Sequence, residues 1–153
     1  MSALNRIFLV VAVVGAIGCV NGPVSAADMM AKQFTVVERA TTDTVTDLGA
    51  KGDSAGDILT FANEIYDQSN KTQVGYDNGW CVRTAAGQAW ECFWTLTLDK
   101  GQITVEGPFY DKKDSVLAVT GGTGAYAGAR GEMKLHARND KGTEYDFAYN
   151  LLP

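Results

Sequence analysis

Glu91 is the side chain whose sequence setting most favours acid–base chemistry. It stands between Trp90 and Cys92 in an apolar run that is typical of a β-strand. If the side chain faces the interior of the fold, loss of hydration raises the pKa of its carboxyl group towards neutrality, where a general acid or base is most effective. The alternative is a solvated glutamate on the outer surface, and the sequence leaves both open.

Four further polar residues lie within or at the ends of apolar strands and raise the same question: Asp57, Glu64, Tyr110 and Arg130. Asp57 and Glu64 share one candidate strand, so either could supply a carboxylate to the interior if Glu91 does not. Tyr110 and Arg130 stand near strand ends, where side chains can reach the opening of a β-barrel.

Two cysteines are predicted to form a disulfide across a β-hairpin. A four-residue loop, Ala85–Gln88, places Cys81 directly opposite Cys92 in a non-hydrogen-bonded pair, where side chains come closest. The same register places Arg83 opposite Trp90, which suits a cation–π contact.

The other face of this hairpin carries Glu91 with apolar and aromatic neighbours: Tyr76, Trp80, Val82, Phe93 and Thr95. One of the two faces must line the interior, and alternation alone does not say which. If it is the Glu91 face, its three aromatic residues, together with Tyr110, are expected to bind a flat or apolar ligand. The alternative is that they fill the core.

His136 is the only histidine of the chain. Strand alternation places it on the solvated face of a second hairpin, opposite Asp146, which argues against a general base at this position. With a single histidine and both remaining cysteines in a disulfide, the sequence excludes Cys/His catalysis and zinc sites. We therefore expect no metal.

The rest of the chain consists of short β-type runs separated by turn residues. The candidate strands are Phe34–Ala40, Asp57–Tyr66, Gln73–Thr84, Ala89–Leu98, Gln102–Tyr110, Ser115–Thr120, Ala129–Arg138 and Glu144–Leu151. Eight such strands predict an all-β closed barrel or a sandwich, and the polar stretch Asp43–Gly56 reads as a mobile loop.

In the second hairpin, the alternation of apolar and polar residues selects the register. A three-residue loop, Asp140–Gly142, with its glycine in the left-handed conformation, places Leu135 opposite Phe147 and Met133 opposite Tyr149. These four residues then share one buried face.

Residues 1–26 have the pattern of a secretory signal peptide, with Arg6 before an apolar run, Ile7–Ile17, and small residues before a cut after Ala26. The run is too short for a membrane-spanning helix, so no membrane span is expected in the mature form. A lipoprotein cleaved before Cys19 is a minor alternative. Residues 27–153 are then one exported domain, periplasmic or extracellular.

Removal of Arg6 leaves 12 basic and 18 acidic residues, so the mature chain carries a net charge of −6. This balance argues against a nucleic-acid partner, because phosphate binding needs clustered lysine and arginine. The glycine-rich stretch 121–128 lacks a following helix and the lysine of a phosphate loop. Its glycines are better explained by positive φ angles in a tight connection between strands.

Two segments resemble the allene oxide cyclase and dirigent superfamily. They are Gly56–Phe61 and the run from Val119 to Tyr126 that continues into Ala129-Arg130-Gly131. The second is the more specific, because dirigent proteins carry a similar Gly-Gly-Thr-Gly, aromatic, Ala-Arg-Gly sequence. The resemblance extends over roughly residues 34–151 and is closest to the allene-oxide-cyclase-like exported proteins of bacteria.

This resemblance implies an eight-stranded antiparallel β-barrel with a largely apolar lumen, often trimeric in plants, so a homo-oligomer is one expectation. Allene oxide cyclases close an unsaturated fatty-acid epoxide into a cyclopentenone, and dirigent proteins steer coupling of phenoxy radicals or quinone methides. Neither needs a cofactor. Among the candidate residues, only Arg130 stands on a family motif position, as part of Ala-Arg-Gly.

Three functions remain to be separated. The first is a cofactor-independent cyclase or isomerase acting on an apolar oxygenated molecule, with Glu91 as acid or base and Arg130 stabilising oxygen charge. The second is a non-catalytic or dirigent-type barrel that binds a small hydrophobic molecule. The third is an outer-surface interaction module. A lumenal carboxylate favours the first.

Overall fold

The computed structural model describes residues 32–153, so the predicted signal peptide and Cys19 lie outside the described residues. No helix in this part of the chain is long and apolar enough to cross a membrane. The strands are β1 (Lys32–Arg39), β2 (Thr44–Thr46), β3 (Ile58–Phe61), β4 (Glu64–Asp67), β5 (Gln73–Ala85), β6 (Ala89–Leu98), β7 (Gly101–Tyr110), β8 (Ser115–Gly122), β9 (Gly131–Ala137) and β10 (Glu144–Leu151).

The strands form a closed antiparallel barrel with eight positions. The order around it is β5-β4-β1-β10-β9-β8-β7-β6, and β6 pairs again with β5. Strands β3 and β4 both pair with β5 and act as two halves of one strand interrupted at Asn63, while β2 pairs with β3. The predicted eight-stranded antiparallel β-barrel is confirmed.

The segment predicted as a mobile loop, Asp43–Gly56, is more structured than its composition indicates. It contains β2, and the carboxylate of Asp57 accepts backbone hydrogen bonds from Leu48, Gly49 and Ser54. One buried carboxylate therefore fixes the path of a polar segment that has few apolar contacts of its own.

The β9–β10 hairpin has the predicted register, with Leu135 opposite Phe147 and Met133 opposite Tyr149, all four buried. Gly142 has a φ of 63° in the turn, which favours glycine because a side chain strains the left-handed conformation. In the β5–β6 hairpin, Ala85 still pairs with Ala89 beyond a bulge, so the loop is one residue shorter than predicted.

The two ends of the barrel differ. One end, called the mouth here, is formed by the β5–β6, β7–β8 and β9–β10 turns with the segment 40–57. The other end, the base, is covered by the glycine-rich connection, in which Gly124 and Gly128 have the expected positive φ. The ring of Tyr126 is buried there, beside Phe34, which stacks on Tyr149.

Candidate active site

The interior face of the β5–β6 hairpin is the face that carries the disulfide. Cys81 and Cys92 are bonded directly across the two strands, with Cα atoms 4.0 Å apart, and both are buried. Trp94 lies on the same face, opposite Gly79, where an added Cβ would be 2.3 Å from the Cβ of Trp94. A glycine is therefore required for the indole to pack across the lumen. The predicted disulfide is present.

The opposite face is the outer wall, which corrects the expectation of a lumenal Glu91. Glu91 is exposed, and it lines neither of the two cavities described below. Tyr76 and Trp80 are 53% and 47% exposed, and Phe93 shares their face. Because side chains alternate along a strand, burial of the disulfide places all four of these candidates outside the lumen.

The other two candidates also lie away from the lumen's carboxylates. Arg130 is exposed at the base, where its guanidinium donates to the backbone oxygen of Pro153. It therefore lies at the end of the barrel opposite the β5–β6 turn. Tyr110 is half-buried at the mouth, with the Lys113 ammonium 4.1 Å from its ring centroid. The structure does not bring Glu91, Arg130 and Tyr110 together.

Two carboxylates that the sequence analysis did not select are inside the barrel. Glu38 on β1 is 6% exposed and Asp77 on β5 is 0% exposed. Asp77 lies on the inner face of β5, which also carries Cys81. Glu38 lies on the inner face of β1, together with Val36. These strands pair with the two edges of β4, and both carboxyl groups contact Asn63: its side-chain amide donates to Glu38 Oε1 and its backbone N–H donates to Asp77 Oδ1.

Asn63 orients this carboxyl pair. Its side-chain oxygen accepts hydrogen bonds from the backbone N–H groups of Thr41 and Thr42 and from the Thr42 hydroxyl. These three donors identify that atom as the oxygen, so the amide nitrogen must point the other way. It donates to Glu38 Oε1 at 2.9 Å and to Asp43 Oδ1 at 2.8 Å.

Burial of the pair raises the pKa of both carboxyl groups. For Glu38, desolvation and then the charge of Asp77 raise the pKa well above its ordinary value, against the hydrogen bond from Asn63. For Asp77, desolvation raises the pKa to about 7, although the Asn63 backbone N–H opposes this. Glu38 is therefore the protonated partner near neutral pH.

Glu38 opens onto a small apolar cavity, called the inner pocket here. Its volume is about 40 Å³. Apart from Glu38 and Asp43, its walls are the disulfide, aliphatic side chains and aromatic rings: Leu59, Phe61, Cys81, Cys92, Trp94, Phe109, Leu135, Tyr145 and Phe147. A proton on Glu38 thus faces a space in which few groups can hydrate a charge.

Within residues 32–153, three buried polar side-chain atoms have neither a hydrogen-bond donor nor an acceptor as partner. They are Asp77 Oδ2, Trp94 Nε1 and the Tyr149 hydroxyl. Burial, and then the negative charge of Asp77, raise the pKa of Tyr149, which is neutral at physiological pH. An unpartnered carboxylate oxygen is costly in an apolar interior, which agrees with the raised pKa of Asp77.

A charged cluster closes one side of the mouth. The Arg83 guanidinium lies between Asp53 Oδ1, 2.5 Å from Nε, and Asp111 Oδ1, 2.7 Å from Nη1. It also lies 4.1 Å from the ring centroid of Trp90, which confirms the predicted cation–π pair. These contacts join the segment 40–57 and the β7–β8 turn to the β5–β6 hairpin.

The remaining candidates, Asp57, Glu64 and His136, bond to other residues of the fold and do not line the inner pocket. Hydrogen bonds from the Leu48 and Ser54 backbone lower the pKa of Asp57, which organises its loop as described above. Glu64 is exposed and accepts a bond from the Tyr66 hydroxyl. His136 is exposed and opposite Asp146, as predicted, but its Nδ1 contacts Asp114 Oδ1 at 2.7 Å.

The model of one protein family covers most of the barrel. The family is described as allene oxide cyclase, and it matches residues 26–139. The chain belongs to the allene oxide cyclase family. The match takes in the strands that carry both buried carboxylates, so the candidate active site lies within the family domain.

Solved structures similar to this family member include enzymes and a dirigent protein. A pyocyanin demethylase is 27% identical, with a TM-score of 0.66, over 77% of this chain and 100% of that chain. A pterocarpan synthase dirigent protein is 11% identical, with a TM-score of 0.63, over 80% of this chain and 93% of that chain. A Diels-Alderase from Streptomyces koyangensis is 12% identical, with a TM-score of 0.61, over 83% and 70%. The last two show the shared fold.

Within this family fold, sequence reasoning missed Glu38 and Asp77 for different reasons. Asp77 shares the strand face of Cys81, so knowledge of which face is interior would have identified it. Glu38 lies next to Arg39 at a strand end, where a charged pair is typical of a solvated terminus. Only the pairing of β1 and β5 with the two edges of β4 brings both carboxyl groups to Asn63.

Proposed function

We propose that this barrel is a cofactor-independent cyclase or isomerase that acts on an apolar, oxygenated small molecule, with Glu38 as the catalytic acid–base group. The observation that carries the proposal is a buried carboxyl pair with one member, Glu38, facing an apolar pocket. Burial of two neighbouring carboxyl groups does not stabilise a fold, whereas shifted carboxyl pKa values are typical of catalytic sites.

The chemistry follows from the protonation states of the pair. Protonated Glu38 donates its proton to an epoxide oxygen of the bound substrate as one C–O bond breaks, which leaves a hydroxyl group and an electron-deficient carbon. As a carboxylate, Glu38 then removes a proton from the neighbouring carbon, and the electrons of that C–H bond form a C=C bond to the electron-deficient carbon. Glu38 recovers its proton, and the substrate is isomerised with no net change in composition. Asp77 is a positioning residue here, because its negative charge keeps the proton on Glu38 at neutral pH.

The apolar walls of the inner pocket also contribute to this reaction. Trp94 packs against both Phe61 and Phe147, with ring centroids 6.0 and 5.4 Å apart, and the three rings form an aromatic wall. They exclude water from the reacting atoms and hold the substrate in one reactive orientation. An exported location belongs to the same proposal, supported by a disulfide of the kind that persists in oxidising compartments.

Carboxyl-to-amide substitutions test the proposal. The substrates to screen are an unsaturated fatty-acid epoxide and pyocyanin, by mass spectrometry of products. We expect Glu38→Gln to lower kcat by about 10² to 10⁴-fold while ligand binding is retained. Asp77→Asn should shift the pH dependence of kcat and keep partial activity. The matched control is Glu91→Gln on the outer wall, which should leave turnover unchanged. Full activity in Glu38→Gln would refute the assignment.

The second candidate is a barrel that binds a hydrophobic ligand without transforming it. It is favoured by the composition of the inner pocket, since all walls other than Glu38 and Asp43 are apolar or aromatic. Retention of a ligand that is recovered unchanged, with equal affinity in Glu38→Gln and the unsubstituted protein, would support this function over catalysis.

A further inference from the structure

Two cavities meet at the mouth of the barrel, and they differ greatly in size. The inner pocket measures about 40 Å³, room for a few water molecules at most. The second cavity, called the mouth cleft here, measures about 390 Å³ and lies between the β7–β8 turn and the β9–β10 turn. Pockets that hold drug-sized ligands measure roughly 300 to 1,000 Å³, so only the mouth cleft reaches that range.

Phe109, Leu135 and Tyr145 line both cavities and therefore separate them. Two of the three form an aromatic pair, with the Phe109 and Tyr145 ring centroids 5.9 Å apart and an interplanar angle of 83°. This pair is called the aromatic partition here. Its members come from the mouth ends of β7 and β10, and both are only half-buried, in contrast to the fully packed Phe147 below.

The partition is adjacent to the carboxyl pair. Tyr145 is the residue directly opposite Glu38 in the β1–β10 pairing. Its hydroxyl lies close to the β9–β10 turn, since a Cβ added to Gly142 would be 2.6 Å from the hydroxyl oxygen. Burial, and then the charges of Glu38 and Asp43, raise the pKa of Tyr145 to about 12. The ring is therefore neutral at the border between the mouth cleft and the inner pocket.

We propose that the aromatic partition selects ligands by ring size, and that the ligand is a planar molecule of two or more fused or conjugated rings. Rotation of Phe109 and Tyr145 joins the two cavities, and the ligand ring then takes the place of the contact between them. An aromatic ligand can replace this contact by stacking, because the partition and the rings around Trp94 all face the inner pocket. The inference rests on the proposed function only in that the ring is brought to Glu38.

The test measures association of two probes, phenazine with three fused rings and phenol with one. Both are followed by stopped-flow quenching of tryptophan fluorescence in a Trp80→Phe background, which removes an exposed indole of the outer wall. Because a required conformational change slows association, we expect Phe109→Ala to raise the association rate constant of phenazine about tenfold and that of phenol by less than about twofold.

Three further variants make the outcome decisive. Tyr145→Ala should give the same preference for the larger probe, and it serves if Phe109→Ala fails to fold. Phe93→Ala removes an equivalent ring from the outer wall and should change neither rate. The partition is refuted if the phenazine rate is unchanged in both mouth variants, or if both probes accelerate equally. The rate test uses variants of Phe109, Tyr145 and Phe93, and the turnover test uses variants of Glu38, so the partition and the proposed catalysis can fail separately.

Discussion

Asp77→Asn is expected to weaken the dependence of folding stability on pH, because this carboxyl group binds its proton more tightly in the folded state than in the unfolded chain. Its pKa is about 7 in the barrel against an ordinary value of 3.8. A group whose folded pKa is raised binds more protons folded than unfolded between these two values. The free energy of unfolding therefore falls as pH rises from about 4 through about 7.

The magnitude follows from the same two values. Between about pH 5 and about pH 7.5, a single group with these pKa values lowers the free energy of unfolding by about 2 to 3 kcal/mol. Glu38 acts in the same direction, since its folded pKa is also raised. Carboxylates with lowered pKa values, such as Asp67 at about 2, are ionised throughout this window and do not contribute to the change.

Urea denaturation followed by tryptophan fluorescence at the two pH values measures the effect. The unsubstituted protein should lose stability towards the higher pH, Asp77→Asn should lose about 2 to 3 kcal/mol less, and Glu38→Gln with Asp77→Asn should lose almost none. Glu91→Gln is the matched control and should behave as the unsubstituted protein. The reasoning is refuted if the unsubstituted protein is equally stable, or more stable, at the higher pH.

Three other predictions concern the fold. Leu135→Ala should destabilise by about 2 to 5 kcal/mol in urea, as truncation of a buried leucine does, whereas His136→Ala should cost a few tenths; a loss above about 2 kcal/mol for the histidine would contradict the register. Arg83→Met should cost about 2 to 4 kcal/mol, because Asp111 loses its partner in a partly buried site; the double variant with Asp111→Asn should recover part of this, and no recovery would exclude the pairing. The hairpin disulfide should leave no reactive thiol in unreduced, denatured residues 27–153, and should add about 2 to 3 kcal/mol; two labelled thiols would refute it.

Alternation along the strands predicted which residues face each other, and it did so well. The pairs formed by Cys81 with Cys92 and by Arg83 with Trp90 follow from counting residues outward from one turn. The inner face could not be chosen in the same way, because the outer face of β5 also carries large apolar side chains, Trp80 among them. Hydrophobicity therefore does not separate the two faces, and the sequence left the face of Glu91 open.

The candidate active site was less predictable because it depends on closure of the barrel. Glu38 and Asp77 are 39 positions apart in the chain, on strands that meet only through β4. Asn63 lies at the interruption between β3 and β4, where it exchanges both backbone hydrogen bonds with Asp77. No local pattern encodes a contact among three residues from separate strands, although each strand by itself was identified.

The carboxyl pair has a thermodynamic consequence that bears on function. A barrel that needs only an apolar lumen would gain stability at neutral pH from aliphatic side chains in place of Glu38 and Asp77, because desolvating two carboxyl groups is unfavourable. Asn63, with three donors to its oxygen, uses its amide hydrogens on Glu38 and Asp43 and its backbone N–H on Asp77, and so holds the pair in one arrangement. A buried carboxyl pair that destabilises the fold, but is fixed by an amide with all its hydrogen bonds made, is expected where a proton must be held in an apolar space. A barrel that only binds a ligand has no such requirement. Stability and turnover of the same amide variants should therefore change in opposite directions above neutral pH, which separates an acid–base barrel from a ligand-binding one.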